Sequence, residues 1–149
     1  MFETPDAKAH STPRHLWVVG GISLVWNSVG AMDYVMTQTK SEAYMSSFTP
    51  EQLEFFYGFP AWVVAAWAVA VWGGVIGSVL LLTRKRLAVH AFLVSLVAMV
   101  ITTFHNYILS DGLELIGDPF ALVFTAAIFL AAVGLWLYAR ALHERSVLA

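Results

Sequence analysis

The sequence predicts an all-α fold, a four-helix transmembrane bundle with a short interfacial helix in its first outer loop. Two observations carry this. Four apolar stretches, 16–36, 61–82, 87–109 and 120–139, each run about 20 residues, which at about 1.5 Å rise per residue matches a hydrocarbon core about 30 Å thick. The positive charges then fall at alternate ends of these stretches. Lys8 and Arg14 precede the first, Arg84, Lys85 and Arg86 separate the second from the third, and Arg140 and Arg145 close the fourth. Only Lys40 lies in the other loops, among Glu42, Glu51, Glu54, Asp111, Glu114 and Asp118. Lys and Arg resist translocation, so the asymmetry predicts both termini in the cytoplasm.

Composition narrows the function classes. At 149 residues and 59% hydrophobic, a soluble domain would not need four long runs nearly free of charge; one membrane domain uses nearly the whole chain, with the lipid bilayer as its first partner. The net charge of −2 divides into a basic inner rim and an acidic outer rim, and no basic surface is large enough for nucleic acid. With 0 Cys, thiolate catalysis, disulfide exchange and iron–sulfur ligation are excluded. Met1 to His15 carries Glu3, Asp6, Lys8 and Arg14 and lacks the apolar core of a secretory signal. The first span is therefore expected to act as an uncleaved insertion signal.

Thr12-Pro13 predicts the N-cap and first residue of helix one, with Trp17 at the inner interface. In the outer loop that follows, Thr49-Pro50-Glu51-Gln52 has the residues of a capping box, and Phe48 and Leu53 hold the staple positions. A short helix over 50–57 should lie in the membrane interface or cover the outer mouth of the bundle with Leu53, Phe55, Phe56 and Tyr57. Helix two starts near Pro60 and carries a small-residue stripe, Ala66, Ala70, Gly73, Gly74, Gly77 and Ser78, in which Gly73 and Gly77 make a GxxxG. Small residues let backbones approach in lipid; packing inside the bundle is favoured over a homodimer face. The turn 83–86 is so short that helices two and three form an antiparallel hairpin. Helix three presents Ala88, Ala91, Ser95, Ala98, Thr102, His105 and Asn106 along one small, polar face, which should point into the protein. Asp118-Pro119 caps helix four, whose stripe of Ala127, Ala131 and Gly134 is expected to pack on a neighbouring helix.

Two outer segments look alike. Met32-Asp33-Tyr34-Val35-Met36-Thr37 and His105-Asn106-Tyr107-Ile108-Leu109-Ser110 share a pattern of Asp or Asn, Tyr, two apolar residues and a hydroxyl. Each precedes a Gly-x-Pro, at Gly58-Phe59-Pro60 and Gly117-Asp118-Pro119. A parallel internal duplication and chance both account for so few positions.

Asp33 is the one acidic residue inside a predicted span, and helix three supplies His105 and Asn106. Asp33 and His105 are expected at similar depth near the outer interface, with Asn27 about two turns deeper. An outer-facing cluster of Asn27, Asp33, Tyr34, His105 and Asn106 follows. It is either an interhelical hydrogen-bond network that sets the packing or a pocket for a small polar ligand or a proton. The first is the favoured account. Haem needs a second histidine at the depth of His105, and no other span offers one. Neither a metal-hydrolase motif nor a phosphate loop is present. No cofactor, no metal and no catalytic residue is expected.

Taken together, Leu24-Val25-Trp26-Asn27, 32–39, 48–53 and 55–60, with Phe104-His105-Asn106-Tyr107, resemble a family of small bacterial four-helix membrane proteins often labelled "sugar transporter". The resemblance covers nearly the whole chain. It implies a bacterial inner membrane and four spans, and it offers no catalytic residue to carry over. The leading expectation is a non-enzymatic accessory or scaffold protein acting through helix packing, in a homo-oligomer or larger complex. The alternative is a transporter of a small polar solute, proton-coupled and oligomeric. A weaker alternative is a membrane enzyme using Asp33 and His105 on a hydrophobic substrate.

Overall fold

A computed structural model describes residues 12–110, 114–115 and 118–149. Met1, Glu3, Asp6, Lys8, Asp111 and Gly117, used above, lie outside the described residues. The described chain is all-helical, with six α-helices and no strand. They are α1 (Arg14–Gln38), α2 (Glu42–Met45), α3 (Pro50–Tyr57), α4 (Ala61–Leu82), α5 (Leu87–Phe104) and α6 (Pro119–Glu144). A π-helical turn, His105–Leu109, extends α5.

Three helices are long and apolar enough to cross a membrane: Ala61–Leu82, Leu87–Leu109 and Pro119–Glu144. α1 has the length, at 25 residues, and is less apolar because it carries Ser23, Asn27, Ser28 and Asp33. All but the exposed Ser28 are at least half-buried. Ser23 is buried, whereas Val18, Ile22, Val25, Val29 and Met32 are exposed, and their spacings of three and four residues form one apolar outer stripe.

Helix ends follow local chemistry. The box at α3 forms on both sides: Gln52 N–H donates to Thr49 Oγ1 at 3.2 Å and Thr49 N–H donates to Gln52 Oε1 at 3.1 Å. Asp118 Oδ2 accepts from Ala121 N–H at the start of α6. α1 departs from expectation. Pro13 is its N-cap and no side chain caps it; Thr12 Oγ1 instead accepts from the Arg84 guanidinium at 2.7 Å, because the α4–α5 turn lies beside it. The C-termini of α1, α4 and α6 close through left-handed Lys40, Arg84 and Ser146, with φ of 54°, 57° and 60°. In each, the next amide reaches back into the last turn: Ser41 to Met36, Lys85 to Leu80 and Val147 to Leu142.

α1 packs on α4, α4 on α5, and α5 on α6. The small-residue stripe of α4 divides between two partners. Gly77 abuts Phe92 and Gly73 abuts Ser95, both on α5, while Gly74 abuts Asn27 on α1. Ser95 Oγ also donates to the Ala70 carbonyl. The polar face of α5 turns inward as expected, with Ala88, Ser95, Ala98 and His105 buried. One expectation fails: Ala127 is exposed, Ala131 is half-buried, and a Cβ built on Gly134 meets nothing within 4 Å. That stripe brings no helix close within the chain, since α6 meets the others chiefly through longer side chains.

The buried core cluster gathers Leu16, Leu81, Ala88, Phe92, Ala139, Leu142 and Leu148. Here the start of α1, the α4–α5 turn and the end of α6 converge. Ala149 N–H donates to the Arg84 carbonyl and Arg86 N–H to the Ala149 carbonyl, both at 2.8 Å.

Candidate functional site

A cavity of about 470 Å³ occupies the end of the bundle away from the start of α1 and the end of α6. α1, α4, α5 and α6 form its walls and α3 covers its mouth. Its floor is polar. Asn27 Nδ2 donates to the Ser23 carbonyl at 2.9 Å, to Ser23 Oγ at 3.3 Å and to Ser78 Oγ at 3.2 Å. The Ser23 and Ser78 hydroxyls bond to each other, and Ser78 Oγ donates to the Gly74 carbonyl at 2.8 Å. The absence of a Cβ at Gly74 makes this possible: one built there would sit 2.2 Å from Asn27 Oδ1. Ser78 is fully buried and Ser23 nearly so, so the network fixes α1 against α4 and leaves one face of Asn27 on the cavity.

Higher on the α1 wall stands Asp33. Its carboxylate accepts from the Tyr44 hydroxyl, which reaches it because α2 folds back over the end of α1. Burial, and then the hydrogen bond and the charge of Asp33, push the Tyr44 hydroxyl up to about 12 from its ordinary 10.0. The folded-state pKa is raised, so Tyr44 stabilises the fold fully below the unfolded value and loses that contribution as pH rises through about 12. In ultraviolet titration one tyrosinate, absent from Tyr44→Phe, is expected to appear near pH 12. Asp33→Asn should lower that midpoint while burial, the larger cause, keeps it above 10.0.

The structure gathers only part of the expected cluster. Asn27, Asp33 and Asn106 line the cavity; Tyr34 and His105 do not. Successive residues on an α-helix point about 100° apart, and each adjacent pair separates accordingly. Tyr34 meets Trp67 edge-on, with ring centroids 4.9 Å apart. His105 is buried against Phe59 and Trp62, at 5.7 and 5.4 Å, and its Nδ1 lies 3.2 Å from Asn106 Oδ1. The expected meeting of Asp33 with His105 is thus replaced by Asp33 with Tyr44. The π turn lies where helix three reaches the cavity, and Ser110 Oγ donates to the His105 and Asn106 carbonyls that it frees, at 2.9 and 3.1 Å. Asp33 and Asn106, the matching positions of the two similar segments, face the same space.

Sequence reasoning missed Tyr44 and the aromatic lining. Phe48, Phe56 and Phe59 close the cavity from above and the side, locked edge to face at centroid distances of 5.3 Å (Phe48–Phe56) and 6.1 Å (Phe56–Phe59). The signal for them was the aromatic run beside the capping box, which had suggested a cover for the mouth. On the far side Thr125 lines the wall, its hydroxyl 3.4 Å from that of Tyr107. Among the described residues no Lys, Arg or His lines the cavity. Among the described residues no group of three His, Cys, Asp or Glu is placed to hold a metal ion.

The seam between α1 and α6 is thin. Trp26 and Phe124 bridge it with centroids 6.1 Å apart. Both line the cavity, as does Val29, and all are substantially exposed, at 39%, 48% and 56%. Trp26, Val29 and Phe124 thus face both the cavity and the outer surface of the bundle. Comparison with family models, with curated proteins and with solved structures returned no match.

Proposed function

We propose that this chain is a four-span membrane protein whose outer-half cavity binds a small molecule, the binding step of a solute carrier. The cavity is the observation that carries the reading. At about 470 Å³ it falls within the range of small-molecule sites, and it joins an apolar, aromatic wall to a few fixed polar groups. α1 serves as the fourth span, with Asn27 and Asp33 on the cavity and Val18, Ile22, Val25 and Met32 toward lipid. The charge asymmetry supports both chain ends in the cytoplasm and the cavity mouth on the opposite side, and the resemblance implies a bacterial inner membrane. The scaffold account loses support because the glycines of α4 serve contacts within the chain; it keeps the open stripe at Ala127 and Gly134, which suits a second copy or a larger assembly. An acid–base role for Asp33 with His105 loses support because the two side chains do not meet.

The reading is tested by calorimetric titration of the purified chain in mild detergent with 2-naphthol, an uncharged probe small enough for the cavity. Saturable binding is expected, and Thr102→Phe, which projects a ring from the α5 wall, should weaken it at least about tenfold, a loss of about 1.4 kcal/mol. Absence of saturable binding, or equal affinity in a folded Thr102→Phe variant, overturns the cavity as a binding site.

A further inference from the structure

The cavity wall carries, among the described residues, one carboxylate, Asp33, and no cationic side chain. Among the described residues the one ion pair, Arg140 with Glu144, lies at the opposite end of the bundle. The Tyr44 hydroxyl gives Asp33 a hydrogen bond but no counter-charge. An ionised carboxylate in surroundings of low dielectric is costly until an opposite charge approaches it.

The rest of the lining selects which charge that is. Trp26, Phe48, Phe56, Trp67, Tyr107 and Phe124 present rings to the space, and the negative faces of aromatic rings attract cations, Arg-like or alkylammonium groups above all. Small hard metal ions do not suit the site. They require several oxygen ligands held close together, and the cavity sets one carboxylate among rings, amides and hydroxyls. A volume of about 470 Å³ also exceeds what a bare ion fills.

We infer that the cavity takes an organic ammonium cation with an apolar body, its charge held at Asp33 and its body against the aromatic wall. This rests on the cavity being a binding site, as proposed above, and specifies the class of molecule it binds. The seam supplies the route. An amphipathic cation collects in the outer leaflet with its charge at headgroup level and its body in the acyl region. The exposed Trp26, Val29 and Phe124, which also line the cavity, stand between that layer and Asp33.

The test compares three probes that share one ring system: trimethyl(2-naphthyl)ammonium, 2-naphthol and 2-naphthalenesulfonate. Each is titrated into the full chain in an uncharged detergent at neutral pH, with tryptophan fluorescence as readout, since Trp26 and Trp67 line the cavity. The ammonium is expected to bind at least about tenfold more tightly than the alcohol, as a charge-assisted contact requires, and the sulfonate to bind more weakly than either. Asp33→Asn should shrink the ammonium's advantage over the alcohol at least about tenfold, and Asp33→Glu should restore most of it. If the alcohol binds and the ammonium has no advantage, or keeps it in folded Asp33→Asn, the ammonium inference falls and the cavity reading stands. Sulfonate binding as tight as the ammonium's overturns the inference without any variant. If none of the three binds, both readings fall together.

Discussion

Gly77→Leu is expected to cost about 3 kcal/mol of stability, the upper end of ordinary overpacking. Even the first carbon added at this position sits 2.8 Å from Phe92 Cδ1 and Cε1, closer than carbon atoms pack. Phe92 has nowhere to move, because it is 3% exposed and belongs to the core shared by α1, α4, α5 and α6. Phe92→Ala should cost about 2 kcal/mol; this lies below the usual range for soluble cores because lipid tails are as apolar as the ring, so the loss is of contacts rather than of transfer from water. The two sites are coupled. In a Phe92→Ala background, Gly77→Ala should become neutral or stabilising, since the added methyl group enters space the ring has left and alanine favours a helix over glycine by about 1 kcal/mol. Gly134→Leu is the matched control: nothing lies within 4 Å of its Cβ. Reversible unfolding in mixed micelles reads all four changes. Additive losses at Gly77 and Phe92 would refute the packing described.

The second large effect lies at the cavity floor. Gly74→Ala places a Cβ 2.2 Å from Asn27 Oδ1, so the amide must leave its three acceptors. Only the bond to Ser78 crosses between helices, where such bonds average about 0.6 kcal/mol; the two to Ser23 lie within α1, and the displaced amide remains partly buried. A net loss of about 2 kcal/mol is expected, after the methyl group's own favourable effect on the helix is offset. Asn27→Ala alone should cost somewhat less, because it removes the donor with its bonds, and Gly74→Ala should be nearly neutral upon it. The same unfolding assay, run as a double-mutant cycle, isolates the coupling. Equal losses from Gly74→Ala in both backgrounds would place Asn27 elsewhere.

The sites that these experiments probe differ in how legible they were. The bounds of α3 and α4 could be read closely from Thr49-Pro50 and Pro60-Ala61, because proline and a capping hydroxyl act within one turn of chain. The helix closures at Lys40, Arg84 and Ser146 gave no such sign: each adopts a left-handed backbone without glycine, imposed by the chain that follows. The small stripes of α4 and α6 look equivalent in sequence. Only α4 is flanked on both sides, so only its glycines are filled by neighbours. Tyr44 was invisible as the partner of Asp33, since its approach depends on how a loop returns over a helix end and no period encodes that.

Local physics therefore sufficed for what lipid and backbone impose on each segment: helices rather than strands, apolar runs long enough to span, the inward face of α5 and the charge asymmetry of the loops. Tertiary structure decided what depends on pairs of distant segments. It chose Tyr44 over His105 for Asp33, turned Asn106 toward the cavity and His105 away, and opened the space itself. A side chain's partner is set by rotation and splay between helices, and those angles come from the packing of the whole bundle rather than from any one helix.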